Sequence, residues 1–226
     1  MGIYAEQVLP RLIDVLLGTR EFDTMREEVC ADLYGDVLEI GSGSGRNFRF
    51  LPASVAGLWT IEPSRVGNVL AADRFGASSI PVVPSGTDAQ RLRFDDARFD
   101  SAVSTATLCT IPDAAAALAE LRRVLKPDAW FHFAEHGHSP DRRVAWWQDR
   151  CTPLQRRVAG GCHINRDIIG LITDAGFAVE KLRNFYLKGP KACGYMYVGR
   201  ARNPAPYTGE SRRADRVAEG ARLLSE

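Results

Sequence analysis

Apolar residues follow two different periods along this 226-residue chain. Short, nearly continuous apolar runs indicate buried strands, and the segments between them carry apolar residues three and four positions apart, as amphipathic helices do. The strand-like runs are VLEI, LWTI, SIPVV, DSAVST and AWFHFAEH. Strands that alternate with helices at this spacing predict a doubly wound α/β sheet whose strands are mostly parallel.

The two ends of the chain depart from this alternation. Residues 1–31 carry apolar positions at helical spacing before the first strand, which predicts an N-terminal helical cap. Near the other end, FAVEKLRNFYLKG and CGYMYVGRA are strand-like runs joined by a turn too short for a parallel connection, so we expect an antiparallel hairpin. The prediction is one domain over residues 1–202, with seven strands of which one is reversed, and a polar tail over 203–226 with a short helix near 211–224.

Composition and charge exclude several classes of protein. The chain is 45% hydrophobic, enough for a sizeable core, and its 29 Lys and Arg residues nearly balance 28 Asp and Glu residues, so no basic field indicates a nucleic-acid partner. The apolar stretch Leu9–Leu17 is interrupted by Pro10, Arg11 and Asp14, and is too short and too charged for a membrane span. We expect a cytoplasmic protein with at most weak peripheral membrane contact; its oligomeric state stays open.

The five cysteines show no pattern of a disulfide framework or of a zinc finger. They lie at positions 30, 109, 151, 162 and 193, with no CxxC pair and one left over from any full pairing. Cys162 and His163 are neighbours in the chain, which is poor geometry for two ligands of one ion. We therefore expect no metal, and cysteines that act as small buried apolar groups.

The stretch DVLEIGSGSGRNF joins a predicted strand to a glycine-rich turn. Gly41, Gly43 and Gly45 bring the backbone close to a ligand, because glycine has no Cβ and adopts positive φ readily. Residues 46–51 are predicted to open a helix. A strand, a glycine turn and a helix N-terminus together indicate a ligand cradle at the edge of a parallel sheet.

Two classes of ligand use such a turn. Dinucleotide-dependent oxidoreductases have the pattern GxGxxG, but here Arg46 stands where their third glycine would be. Glu62, at the end of the second strand, fits either class because both ligands carry ribose hydroxyls. Asp88, after the third strand, favours the other class, since an acid there can accept a hydrogen bond from an adenine amino group.

These motifs resemble the class I S-adenosyl-L-methionine (SAM)-dependent methyltransferases, in the methyltransferase type 11 group. The resemblance covers roughly residues 36–200 and rests on VLEIGSGSG, TIEPS, SGTDAQRLRF, FDSAVSTATLCTIPD and ELRRVLKPDAW. It implies a Rossmann-like fold, SAM as the cofactor and S-adenosyl-L-homocysteine as its product. The alternatives are a SAM-binding module without catalysis and a nicotinamide-dependent oxidoreductase.

The resemblance also implies a set of cofactor-binding residues. They are Gly41, Ser42, Gly43, Asn47, Glu62, Pro63, Asp88, Ala89 and Thr105. The turn would line the methionine part of SAM, and Asn47 would meet its carboxylate. Glu62 would hold the ribose hydroxyls, while Asp88 and the backbone of Ala89 would flank the adenine. Thr105 would lie under the cofactor.

A narrower resemblance begins at Glu135. The stretches EHGHSPDRRVAWWQDRCTPLQRRVAGGCHINRDI and FYLKGPKACGYMYVGRA are similar to the branch that contains the alkyl thiol S-methyltransferases and their bacterial relatives. This branch implies transfer of a methyl group to a small lipophilic acceptor, with a thiol or hydroxyl favoured. Its animal members carry a hydrophobic N-terminal anchor, which residues 1–31 do not resemble.

Two of the four histidines are candidate catalytic bases. His136 follows the fifth predicted strand, and His163 lies in the glycine-flanked loop AGGCHINRD. A thiol or phenol acceptor must lose a proton, which a histidine can take. Lining of the acceptor pocket and hydrogen bonding within the loop are the other interpretations of these two residues. The N-terminal helices and residues 136–165 are expected to form a lid over the acceptor.

Overall fold

The computed structural model describes residues 4–76 and 79–205, and it is built around a sheet of seven strands. The strands are β1 (Gly35–Ile40), β2 (Val55–Ile61), β3 (Val82–Gly86), β4 (Phe99–Thr105), β5 (Leu125–His136), β6 (Ala178–Tyr186) and β7 (Tyr195–Arg202). Their order across the sheet is β3-β2-β1-β4-β5-β7-β6. Only β7 is antiparallel to its neighbours β5 and β6, so the predicted fold with one reversed strand is confirmed.

Six α-helices flank the sheet in the described part of the chain. They are α1 (Leu9–Leu16), α2 (Arg20–Cys30), α3 (Arg65–Phe75), α4 (Ala114–Val124), α5 (Arg142–Val158) and α6 (Ile168–Asp174). Helices α3 to α6 each begin after a side chain that accepts a backbone N–H of the first turn. The capping residues are Ser64, Asp113, Asp141 and Asp167. Such caps satisfy donors that would otherwise be left without partners, and each contributes about 1 kcal/mol.

The core lies on both faces of the sheet, and the alternation of side chains along β1 shows why. Val37 packs on one face against Met25 and Val29 of α2. Leu38 points to the other face, where it joins Leu118 of α4. Burial of one such aliphatic side chain contributes about 1.5–3 kcal/mol, so both faces must be covered. The sheet is thereby held at a fixed position between its helices, with the carboxyl ends of β1, β2, β4 and β5 at one edge.

The helix predicted after the glycine turn is absent. Residues 46–51 form only a short 3₁₀ turn, Phe48–Phe50, and Leu51 is already extended. Pro52 follows, and a proline disfavours helical dihedrals in the residue before it. The turn is held instead by its side chains: Phe48 is buried with its ring centroid 5.1 Å from that of Phe75. The prediction for 46–51 was therefore wrong.

At the chain ends, the structure describes parts of the predicted cap and tail. Helices α1 and α2 lie within residues 1–31, preceded by a π-helical turn at Tyr4–Val8. Asn203 is buried and donates from Nδ2 to three backbone carbonyls, including that of Leu125 at 3.0 Å. Residues 206–226, with the helix predicted near 211–224, lie outside the described residues. Among the helices described, none has both the length and the apolar character needed to cross a bilayer.

Candidate active site

The glycine turn after β1 has the conformation that only glycine adopts without strain. Gly41, Gly43 and Gly45 have φ values of 71°, 53° and 75°. A Cβ on Gly41 would lie 2.1 Å from Oγ1 of Thr107, so that position allows no side chain at all. A Cβ on Gly43 would meet no described atom within 4 Å, so this glycine faces open space. Open space beside an exposed glycine backbone is what a ligand cradle requires.

Glu62 joins this turn to the end of β2. Its carboxylate accepts hydrogen bonds from the backbone N–H of Gly43 at 2.6 Å and of Ser64 at 2.7 Å. Burial raises the pKa of Glu62, and these two hydrogen bonds partly offset that rise. An ionised carboxylate offers about four acceptor positions, so lone pairs remain for two hydroxyl groups of a ligand. The adjacent Pro63 is exposed at the same edge of the sheet.

A buried triad of Glu39, Asn47 and Thr105 supports the turn from behind. Nδ2 of Asn47 donates to Oε1 of Glu39 at 2.8 Å and to Oγ1 of Thr105 at 3.1 Å. Both N–H groups of Asn47 are therefore engaged inside the protein. Direct contact between this amide and a cofactor carboxylate would require it to leave the triad, so the structure favours a supporting role for Asn47. Thr105, which is buried at the end of β4, shares that role.

Two buried polar atoms at this site lack partners among the described residues. They are Oγ of Ser42 and Oε2 of Glu39. A buried polar group without a hydrogen bond is costly, and such atoms in a native structure indicate a missing ligand or water. Burial also raises the pKa of Glu39 to about 7, despite the hydrogen bond from Asn47. The orphaned hydroxyl of Ser42 and the open space at Gly43 fit a cofactor such as SAM.

The third part of the predicted cofactor site follows β3. Asp88 is exposed, and its Oδ1 accepts from the backbone N–H of Gln90 at 2.9 Å and from Nε2 of Gln90 at 2.8 Å. These hydrogen bonds lower the pKa of Asp88, so it is ionised at neutral pH. Ala89 is buried beside it. Because β3, β2, β1 and β4 are adjacent in this order and parallel, the fold brings all the predicted cofactor residues, including Thr105 at the end of β4, to one edge of the sheet.

His136 is the last residue of β5 and lies next to two cysteines. Its Nε2 is 3.2 Å from Sγ of Cys162, and the ligand atoms of Cys109, His136 and Cys162 all lie within 4.8 Å of one another. Burial acts to lower the pKa of His136, but the hydrogen bond and charge of Cys162 and the charge of Glu135 raise it overall. The pKa of the Cys162 thiol is lowered, first by its hydrogen bond with Cys109 and then by His136. Sequence reasoning did not find this cluster.

His163 lies beside the same cluster but faces other groups. Its Nδ1 is 3.3 Å from the backbone carbonyl of Cys109 and 3.2 Å from Nη2 of Arg166. The carbonyl requires a proton on Nδ1 and the guanidinium requires a lone pair there, so only one of the two hydrogen bonds forms in a given tautomer. The guanidinium of Arg166 also donates to the carbonyls of Leu108 and Ile111. It fixes the loop that carries Cys109.

The N-terminal helix α1 is tied to the glycine turn by an ion-pair network. Asp14 accepts a hydrogen bond from the hydroxyl of Ser44 and pairs with Nε of Arg46 at 2.7 Å and with Arg74 at 3.4 Å. Burial acts to raise the pKa of Asp14, but these hydrogen bonds and the charge of Arg46 lower it to about 2. The sequence alone showed only that Arg46 occupies the position of the third glycine in GxGxxG. The structure gives it a partner in a segment that precedes β1.

The comparisons with known proteins agree with this geometry. A family model described as a methyltransferase domain matches residues 38–133. Among curated proteins, thiol S-methyltransferase TMT1B from Rattus norvegicus is 29% identical over 65% of this chain, and the match spans 61% of the rat protein, less than two thirds of its length. TMT1B from Homo sapiens is 27% identical, with 75% of both chains covered.

A solved structure shows the same fold. The N-methyltransferase NodS from Bradyrhizobium japonicum, crystallised with S-adenosyl-L-homocysteine, has a TM-score of 0.67, with 18% identity over 89% of this chain and 99% of NodS. The glycine turn, the acid after β2 and the reversed β7 are thus found together in a chain whose relatives and matching model are methyltransferases. Residues 38–133 of this chain therefore carry a methyltransferase domain, the whole sheet has the class I SAM-dependent methyltransferase fold, and SAM is the cofactor that this domain supports.

Proposed function

We propose that this protein transfers the methyl group of SAM to the sulfur of a small lipophilic thiol, with a hydroxyl oxygen as the next most favoured acceptor atom. The observation that carries the proposal is the cradle at Gly43, which has open space at the Cβ position of Gly43 and the carboxylate of Glu62 bound to its backbone N–H. SAM supplies a methyl group already activated on a sulfonium. The protein must therefore align acceptor and methyl group and exclude water, more than it must activate a bond.

On the cofactor side, each residue takes a role that its contacts allow. Glu62 accepts from the ribose hydroxyls with the lone pairs that Gly43 and Ser64 leave free. The backbone at Gly41–Gly43 and the hydroxyl of Ser42 meet the methionine part. The exposed Asp88 receives the adenine amino group, with Ala89 against the ring.

The acceptor side is formed by segments that lie beyond the sheet edge. Helix α1 is held to the turn through Asp14, which supports its proposed role as part of a lid. The hydroxyl of Tyr4 donates to the carbonyl of Val158 at 2.9 Å, so the start of the chain also meets the end of α5. A lid made of these two segments would exclude water from the methyl group.

The choice of a thiol rests on the relatives and on the proton that the acceptor must lose. The rat and human relatives are named thiol S-methyltransferases. A free thiol has a pKa of about 8.5, so most of it is protonated and weakly nucleophilic at neutral pH. We assign His136 and His163 to the acceptor side, where a base would act; in support, His136 ends β5, and its Nε2 is 3.2 Å from Sγ of Cys162.

Incubation with isotope-labelled SAM and a panel of alkyl thiols, phenols, quinones and amines tests the proposal. We expect labelled thioether from the alkyl thiols, with phenols slower. SAM binding without transfer to any acceptor would favour a non-catalytic SAM-binding module. Transfer to amines alone would keep the methyltransferase and overturn the thiol assignment.

A further inference from the structure

The fold brings together three side chains that the chain keeps far apart. Cys109 lies in the loop after β4, His136 ends β5, and Cys162 lies in the loop between α5 and α6. Their ligand atoms lie within 4.8 Å of one another, and Sγ of Cys162 is 3.2 Å from Nε2 of His136. Two thiols and an imidazole at one point form a donor set of borderline-soft character, which suits zinc.

The separations match a tetrahedral ion with little adjustment. Zinc binds cysteine sulfur at about 2.3 Å and histidine nitrogen at about 2.0 Å, so neighbouring ligand atoms in its shell are about 3.5–3.8 Å apart. The distance between Sγ of Cys162 and Nε2 of His136, 3.2 Å, lies just below this range, and no pair of ligand atoms in the cluster is more than 4.8 Å apart.

The backbone around the cluster is held in position by groups other than the ligands. The backbone N–H of His163 donates to the backbone carbonyl of Cys109 at 2.8 Å. This hydrogen bond joins the loop of Cys109 to the loop of Cys162. Arg166 donates to the carbonyl of Ile111 at 2.8 Å from the other side of the Cys109 loop. Gly161, with a φ of 90°, makes the turn that presents Cys162. These contacts preform the site.

The cluster also lies beside the cofactor cradle. Thr107, two residues before Cys109, donates from Oγ1 to the carbonyl of Gly41 at 3.2 Å. Glu135, the neighbour of His136, accepts from the backbone N–H of Thr107 at 2.9 Å. The loop that carries Cys109 therefore links the glycine turn to the end of β5, and an ion held there would stand on the acceptor side of the cleft.

We propose that Cys109, His136 and Cys162 bind a zinc ion whose fourth position takes the sulfur of the acceptor thiol. Structural zinc sites have four protein ligands, whereas three protein ligands with an open position are typical of sites where zinc acts on a substrate. The zinc site stands independently, but the identity of the fourth ligand rests on the proposed function. In this role His136 is a ligand of the ion and is not the base.

The chemistry balances without a further reactant. The thiol binds as a thiolate and its proton leaves to solvent, as happens when thiols bind zinc. A sulfur lone pair then forms the new S–C bond while the sulfonium C–S bond breaks, and its electron pair stays on S-adenosyl-L-homocysteine. The product thioether carries no charge and is a weak ligand, so it leaves the ion.

Zinc content provides a test that does not depend on activity. The full chain is stripped with a chelator, reloaded with Zn²⁺ and freed of excess, and bound zinc is measured by mass spectrometry. We expect one zinc ion per chain in the wild type. Cys109→Ser and Cys162→Ser should bind zinc roughly a hundredfold more weakly or worse, since loss of a mere supporting group already costs about 10–100-fold. Cys193→Ser, an exposed cysteine outside the cluster, is the matched control and should retain the ion.

Titration of the stripped wild-type protein with Zn²⁺ tests the site even if a cysteine variant fails to fold. Added Zn²⁺ should raise the melting temperature of the stripped wild type, because a ligand that binds only the folded state stabilises it. Cobalt in place of zinc should give a thiolate charge-transfer band. A wild type that takes up no zinc and shows neither change would overturn the site.

The role of the ion in catalysis is separable from the proposed function. Stripped protein that methylates thiols as fast as reloaded protein would overturn zinc activation and leave thiol methylation standing. Zinc bound at the cluster, with no thiol methylated, would support the site and refute the acceptor assignment. A thiol methylation rate that falls on stripping and returns on reloading supports both.

Discussion

The proposed active site has two halves that differ in their chemical groups. The cofactor half consists of backbone and carboxylates: the turn Gly41–Gly45, Glu39 behind it and Glu62 beside it. The proposed acceptor half consists of two thiols and an imidazole, contributed by the loop after β4, the end of β5 and the loop after α5. A backbone cradle recognises a constant ligand by shape, whereas reactive side chains on loops can change without altering the sheet. The comparison teaches that cofactor and acceptor recognition are separable here.

The two halves also differ in what sets the pKa values of their ionisable groups. In the cofactor half, burial raises the pKa of Glu39 and of Glu62. In the acceptor half, neighbouring groups outweigh burial, so that the pKa of His136 is raised and that of Cys162 is lowered. Variants in one half should therefore change SAM affinity, and variants in the other half should change the rate of transfer.

The largest effect is expected at Gly43. Gly43→Val should abolish SAM binding, because the new side chain would enter the open space in front of the turn and the positive φ disfavours a β-branched residue. Gly189→Val is the matched control: Gly189 also has a positive φ with no described atom near its Cβ position, but it lies in the loop between β6 and β7. Calorimetry with SAM measures both. Normal affinity in folded Gly43→Val protein would show that the cradle is elsewhere.

On the acceptor side, His136→Ala separates the two roles open to this histidine: loss of a base should slow methyl transfer by about 10²–10⁴-fold, whereas loss of a zinc ligand should also lower the amount of bound zinc. SAM affinity should change little, and the loss should shrink at high pH, where the acceptor ionises unaided. His138→Ala, two residues further on, is the control. A pocket-lining role would instead raise KM without this pH dependence.

His163→Ala sharpens the assignment. Full activity in this variant and in His136→Ala, and in the variant that combines them, would show that neither histidine assists the reaction.

The stability of the protein should depend on pH through Glu39. Burial raises its pKa from 4.5 to about 7 in the folded state, so the folded protein holds this proton more tightly than the unfolded chain does. The resulting stabilisation is complete below pH 4.5 and is lost as the pH rises to about 7, a change of about 3 kcal/mol in the free energy of unfolding. Urea denaturation across this range should show the decline in the wild type and a flatter curve in Glu39→Gln. Parallel curves would mean that Glu39 does not titrate there.

Smaller effects on SAM affinity are expected at the two carboxylates of the cofactor half, Glu62 and Asp88. Loss of a charge-assisted pair with the ribose hydroxyls costs about 1.5–3 kcal/mol, so Glu62→Ala should weaken SAM roughly tenfold or more. Asp88→Ala should cost less, because Asp88 is exposed and water competes for its contacts. Equal affinities in the wild type and Glu62→Ala would place Glu62 outside the site.

Local motifs were sufficient to propose the cofactor half because its parts are close in the chain or follow successive strands. Gly41, Gly43 and Glu62 lie where a parallel sheet must bring them. The helix at 46–51 was wrong because Pro52 and the packing of Phe48 outweighed the apolar pattern.

The acceptor half could not be predicted in the same way. Cys109, His136 and Cys162 come from three loops, and their meeting depends on how α5 and the loop after β4 pack over β5. No spacing in the sequence encodes that approach. The pairing of Asp14 with Arg46 was missed for the same reason, since it joins a helix before the sheet to the turn after β1.

Calorimetric titration of the wild-type protein with SAM, S-adenosyl-L-homocysteine and NADH shows whether the cradle at Gly43 and Glu62 holds SAM. We expect SAM and S-adenosyl-L-homocysteine each to bind at one site, to compete with one another and to lose that site in Gly43→Val, while NADH gives no heat of binding. Binding of NADH that Gly43→Val abolishes, with no binding of SAM, would contradict this expectation.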